Sequence, residues 1–207
     1  MNVTAGALSR QKILDTAAQC FMRQGYHATS IDDIARALGS TKGRVYHHFA
    51  SKIDLFFAVH REGMKRLFDA VVPVVQKEDT GQSTLETLEA MLQAHALALL
   101  EHHTYESVVV QGVHLHRFGA MTPEERQTLD ELIASRDAFE SLFKGQLARL
   151  KKAGFLRHAS VSVAAKTLLG GIQWSLVWYR PDQDTSPASR ESLAREMVNV
   201  LMHGLVR

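Results

Sequence analysis

The chain has one cysteine, Cys20, in 207 residues, which excludes an internal disulfide and fits a reducing cytoplasm. Beside Phe21 in an apolar helical pattern, Cys20 reads as a small buried hydrophobe rather than a redox thiol. Charge of one sign is scarce as well. The 24 Lys and Arg against 22 Asp and Glu leave a net charge of +2, so the chain as a whole announces no polyanionic partner. No apolar run is long and clean enough to span a bilayer. The longest, residues 161–179, is interrupted by Ser162, Lys166, Thr167, Gln173 and Ser175 and reads as a buried helix, so no membrane partner is expected. The N-terminus lacks a charged-then-apolar signal pattern, which makes a cytoplasmic protein the expectation.

Catalytic signatures are missing too. There is no G-x-S-x-G elbow, no glycine-rich phosphate loop, no dinucleotide fingerprint, no HExxH and no CxxC. The acid pairs an enzyme would draw on, Asp32-Asp33 and Glu124-Glu125, stand at helix starts, where capping accounts for them. Eleven histidines raise the question of a metal. Yet His102-His103 and His114-x-His116 are spaced so that their rings leave a helix in different directions. No metal and no cofactor are expected. A helical metal-dependent enzyme is the weaker alternative to a regulatory protein.

What is present is helical periodicity and one basic segment. Residues 1–55 hold seven Lys and Arg (Arg10, Lys12, Arg23, Arg36, Lys42, Arg44 and Lys52) against four acids. Release of counterions from DNA needs such an excess. Within it, residues 29–49 read as two short helices around a glycine turn. Ser30 with Asp33 makes an acidic capping box, and Ile31, Ile34, Ala35 and Leu38 form one apolar face. Gly39 ends that helix and Thr41 caps the next, in which Val45 and Phe49 face inward. Its other face carries Thr41, Lys42, Arg44, Tyr46 and His47, the groups a reading helix offers to a major groove. Gly43, a poor helix former, is either tolerated there or retained so that the backbone can approach DNA.

From Gly25 to Phe56 the chain resembles the DNA-binding domain of the tetracycline-repressor (TetR) family of bacterial regulators. Gly25, Thr29-Ser30-Ile31, Ile34-Ala35, Leu38-Gly39, Lys42-Gly43, Val45 to Phe49, Ser51-Lys52 and Leu55 all fall in order and spacing. The resemblance implies DNA contacts by Ser30, Thr41, Lys42, Gly43, Arg44, Tyr46, His47 and Lys52. Lys52, at the start of the following helix, is expected to grip a phosphate. That helix is expected to break or kink at Pro73.

No strand is expected anywhere. The fold class is all-α, with about nine helices: a three-helix helix-turn-helix domain over residues 1–55 and a helical effector-binding and dimerisation domain over residues 56–207. The resemblance implies a repressor that binds a near-palindromic double-stranded DNA operator as a homodimer and releases it for a small-molecule effector. It places the dimer interface on the last two helices, here through Leu168, Gly171, Ser175, Leu193, Met197 and Leu201. It places an apolar pocket in the second domain, with Met64, Phe68, Met91, His95, Gln111, His114, Phe118, Phe143 and Trp174 as candidate lining. The ending Trp178-Tyr179-Arg180-Pro181 resembles the branch that controls fatty-acid, steroid and aromatic-acid breakdown, which implies an acyl-CoA thioester. A lipophilic cation, as in regulators of efflux pumps, is the alternative; the candidate lining contains no acid.

Overall fold

Three of the helix starts are fixed by a hydroxyl residue paired with an acid three positions on. The Asp33 N–H donates to Ser30 Oγ at 3.1 Å while the Ser30 N–H donates to the Asp33 carboxylate at 3.0 Å. At Ser51 the Asp54 N–H donates to Ser51 Oγ at 3.1 Å, and that hydroxyl donates to the Asp54 carboxylate at 2.8 Å. Thr122 and Glu125 repeat the full box of Ser30 and Asp33, at 3.2 and 2.9 Å. Each pair satisfies amide donors that a helix start leaves open and lays negative charge on the positive end of the dipole.

The computed structural model describes residues 5–77, 84–118, 122–156, 160–184 and 186–204, with backbone alone for 5–8, 84 and 113–118. Its helices are α1 (Ala5–Ala28), α2 (Ile31–Ala37), α3 (Lys42–His48), α4 (Lys52–Gln76), α5 (Thr84–Glu101), α6 (His103–Phe118), α7 (Pro123–Lys152), α8 (Val161–Gln173), α9 (Ser175–Trp178) and α10 (Pro187–His203). No strand occurs among the described residues, and the fold is all-α as expected. Trp174 alone separates α8 from α9, so the two continue one helical course.

One boundary differs from the expectation. The fourth helix does not break at Pro73 but runs through it to Gln76. A proline there forfeits one backbone hydrogen bond, and three residues from the helix end little depends on it.

Packing divides the chain into two compact units, residues 1–64 with 104–134 and residues 65–103 with 135–207. The core of the first joins Ile13, Leu14, Ala17 and Phe21 of α1 to Ile31 and Ile34 of α2 and Val45 of α3. It also takes in Leu55, Phe56 and Val59 of α4, Tyr105 and Val108 of α6, and Leu129 and Leu132 of α7. Three aromatic rings, Phe21, Tyr26 and Phe56, meet in it edge-on or tilted at centroid distances of 5.0 to 6.0 Å. The second unit packs α10 and α8 against α5. Its core holds Leu88, Met91, Leu92 and Leu99 of α5, Phe139, Phe143, Leu147 and Leu150 of α7, Ala165 and Ile172 of α8, and Ala194 and Val198 of α10. No helix of the described residues is long and apolar enough to cross a membrane.

Candidate nucleic-acid interface and effector site

The orientation of α3 is set by Val45, which is fully buried, and by Phe49 at its C-cap. With those two turned inward, Thr41, Lys42, Gly43, Arg44, Tyr46 and His47 are all exposed on the remaining surface. Tyr46 is half exposed, at 50%. Thr41 holds the N-cap position without a side-chain capping bond. Lys42 Nζ lies 3.5 Å from Asp32, a solvated pairing across the turn. Arg44 is more firmly placed: its Nε and Nη2 both donate to Ser9 Oγ of α1, at 3.3 and 3.0 Å. Arg10, one residue on, lies over the Phe49 ring at 5.0 Å. The first helix therefore braces the reading helix with polar groups as well as with its core, and sequence patterning had no means of pairing Ser9 with Arg44.

Gly43 lies open on this surface. A Cβ built on it meets nothing nearer than the Thr41 hydroxyl at 3.8 Å. The protein's own packing gives no reason for a glycine there, although one in a helix costs about 1 kcal/mol relative to alanine.

Two residues expected at DNA are engaged within the fold. Ser30 caps α2, and its hydroxyl bonds hold the Asp33 carboxyl below the usual carboxylate range. Lys52 corrects the expectation of a free phosphate grip. Its ammonium donates to the carbonyls of Tyr26 and Thr29 at 2.9 and 2.8 Å and sits 4.4 Å from the centre of the Tyr26 ring. These carbonyls lie just past Gly25, whose φ of 78° breaks the regular helix and leaves backbone acceptors open to a cation. Partial burial there pushes the Lys52 pKa down.

The expected effector residues do not form one group. Met64 is buried in the first unit, and Gln111 of that unit donates its side-chain amide to the Phe21 carbonyl at 2.9 Å. The side chains of His114 and Phe118 lie outside the described residues. Four of the rest do converge in the second unit. His95, 5% exposed, packs its ring against Phe139 at 5.3 Å and Phe143 at 5.9 Å. Phe139 touches Phe143 at 5.4 Å and Phe68 at 5.3 Å, and fully buried Met91 lies one turn before His95. Phe139 joins this cluster although it was not expected there. Burial pushes the His95 pKa down to about 4, so the ring is neutral at physiological pH. Its Nδ1 is buried without a hydrogen-bond partner, an omission that costs about 1–3 kcal/mol. Elsewhere in this unit a cleft of about 490 Å³ is lined by Leu85, Leu88, Leu147, Leu150, Phe155, Val163, Leu168 and Met202, among others, and by none of the expected effector residues.

Trp174 is a correction: it is 64% exposed and turned away from this interior. It belongs to an outward stripe of α8 and α9 with Val163 at 61%, Val177 at 53% and Trp178 at 44%. The spacing 163, 167, 170, 174, 177 follows one side of a helix. Several expected interface residues lie on the other side or between. Ser175 is 1% exposed, so it presents nothing outward and is a second correction. A Cβ on Gly171 would stand 2.8 Å from Leu201 Cδ2, so that glycine admits α10 of the same chain. Leu168, Leu193, Met197 and Leu201 are half-buried, and Val200 is exposed beside them.

Comparison with known proteins bears on this geometry. A family model for bacterial regulatory proteins of the tetR family matches residues 13–59, and one for the tetracyclin repressor-like C-terminal domain matches residues 81–205. The chain is 29% identical to the HTH-type transcriptional repressor KstR2 of Rhodococcus jostii over 199 residues, 95% of this chain and 90% of that one. Its fold matches the TetR-family regulator PfmR of Thermus thermophilus with a TM-score of 0.76 and 31% identity, over 94% of this chain and 99% of the other. AibR, solved in complex with isovaleryl coenzyme A and operator DNA, matches with a TM-score of 0.72 and 26% identity, over 93% and 97%.

Proposed function

The chain belongs to the tetR family of bacterial regulatory proteins, and from that premise we propose that it represses transcription by binding a near-palindromic operator as a homodimer and releases it for an acyl-CoA effector. It is a regulator and not an enzyme. The observation that carries the DNA-binding half is Gly43. Its bare backbone sits among exposed Thr41, Lys42, Arg44, Tyr46 and His47, and only a surface outside the chain needs it bare. Phosphate contacts from Tyr46 and the amides at the start of α3 fix the register, and Thr41, Lys42 and Arg44 reach base edges.

Each chain has one reading helix, so two are needed to span half-sites about one helical turn apart. The outward stripe of Val163, Trp174, Val177 and Trp178, with Val200 of α10, supports pairing on that face. Large apolar groups in one stripe mark an interaction surface. For the effector, support comes from AibR, whose complex holds isovaleryl coenzyme A together with operator DNA, and from the aromatic cluster of His95, Phe68, Phe139 and Phe143, which suits an apolar acyl body. An effector that favours the released state by about 3 kcal/mol lowers operator affinity roughly a hundredfold. Footprinting on the DNA upstream of the chain's own gene, followed by titration with acyl-CoAs of graded length, tests the reading. Protection that a thioester removes is the expected result. A footprint that no thioester disturbs but a lipophilic cation abolishes would overturn the effector class.

A further inference from the structure

The second unit contains a polar group that its own fold does not use. His95 is 5% exposed and stands between Phe139 and Phe143, with Phe68 beyond Phe139. All three neighbouring rings are hydrocarbon, and the Nδ1 atom is buried without a hydrogen-bond partner. Phe, Leu or Met would fill such a place at no polar cost, so the imidazole is retained against the stability of the empty protein. Phe68 is the one ring of the cluster that is partly exposed, so the cluster meets the surface there.

We propose that His95 is the specificity-determining residue of the effector site, where it holds an uncharged oxygen function, a carbonyl or a hydroxyl, on the apolar body of the effector. The inference rests on the effector reading above and refines it: the anionic head of a thioester lies elsewhere, and this ring reads the acyl or ring portion. The neutral state of the ring fits that assignment, because a neutral imidazole gains little from a carboxylate or phosphate in an apolar shell. Nδ1 donates to a carbonyl in one tautomer and accepts from a hydroxyl in the other. A site that hydrogen-bonds an oxygen in an apolar shell discriminates strongly against the analogue lacking it, because the buried partner is then left bare.

The test uses three bicyclic probes of one shape, decalin, 2-decalone and 2-decalol, with the full-length protein labelled with 15N at histidine. The expected result is that the ketone or the alcohol binds at least tenfold more tightly than decalin and moves the His95 ring nitrogen resonance. In His95→Phe, and in His95→Leu as a second variant of different shape, that preference falls to within twofold while both variants melt at or above the wild-type temperature. Equal binding of all three probes, no binding by any, binding that leaves the His95 resonance in place, or a preference that survives in both variants overturns the assignment. Octanoyl-CoA is titrated into the protein–operator complex in parallel. If it fails to release DNA while the oxygenated probes still engage His95, the thioester reading falls and the role of His95 stands.

Discussion

The Tyr105 hydroxyl donates to Asp15 Oδ1 at 2.6 Å, which ties α6 to α1 across 90 positions of sequence. Gln11 joins the same group, its amide reaching Asp15 at 3.1 Å and the Tyr105 oxygen at 3.2 Å. A second tie, from Gln111 to the Phe21 carbonyl, lies two turns further along α6. Since α1 also carries Ser9, the partner of Arg44, α6 anchors the helix that positions an exposed arginine of α3. Replacing Tyr105 with Phe is expected to cost about 1 kcal/mol in urea unfolding, the usual worth of one such bond. Tyr105→Phe combined with Asp15→Ala should cost less than the two single changes added together. Strict additivity would mean that the bond contributes nothing.

Gly43→Ala should separate stability from function. With open space at the site, the added methyl raises stability by about 0.5–1 kcal/mol, while operator affinity falls at least tenfold. Thermal melting and a gel-shift titration on the same preparation read the two effects. Unchanged affinity would mean that Gly43 does not face the duplex.

His95 gives the fold a defined acid response. Its folded pKa of about 4 lies below the 6.5 of a free imidazole, so between those values the unfolded chain binds the proton and the folded one does not. Stability therefore rises with pH through that window and is lost as pH falls from 6.5 toward 4. At about 1.4 kcal/mol per pH unit, the loss amounts to about 3 kcal/mol. His95→Phe should remove that portion of the slope. Parallel pH profiles for wild type and variant would show instead that the ring is already charged or solvated in the native state.

If the chain pairs through the α8–α9 stripe as proposed, a glutamate at Trp174 or Val177 should give monomers in light scattering and weaken operator binding in proportion. Neither change touches the interior, since both side chains are more than half exposed. Gly171→Leu acts differently: with Leu201 Cδ2 only 2.8 Å from the built Cβ, it must push Leu201 aside and should cost about 1–3 kcal/mol within each chain. If the glutamate variants remain dimeric, the interface lies on another face.

Much of the fold was legible in the residues. The Ser30–Asp33 capping box, the apolar face of α2 and the inward turn of Val45 and Phe49 all follow from local chemistry that a sequence displays directly. The outward face of α3 was legible for the same reason: once two apolar residues point inward, the others have nowhere else to go. The α8–α9 course was not, because it is apolar on two sides. Ile172, Ser175 and Tyr179 are turned inward, while Val163, Trp174 and Val177 are turned outward, and spacing alone does not say which stripe meets solvent. Trp174 was expected to line the pocket, and only packing reveals otherwise. Lys52 was misread for a related reason. A lysine at a helix start looks available for phosphate until the carbonyls of Tyr26 and Thr29, remote in sequence, are folded against it.

The crossing of α4 and α6 in the first unit also governs how this sequence can drift. A Cβ on Gly63 would stand 2.6 Å from Val109 Cγ2, and one on Gly112 would stand 2.7 Å from the His60 ring. Two helices thus meet with a bare position on each, opposite a bulky residue of the other. In a saturation library both glycines should be intolerant even of alanine, whereas Gly145, with nothing within 4 Å, should accept most residues. Relief at Gly63 requires a smaller neighbour at 109 first, and relief at Gly112 requires one at 60. Descendants of this sequence therefore reach other residues at the crossing only by paired steps in a fixed order, which holds the seam still while the surfaces around it diversify.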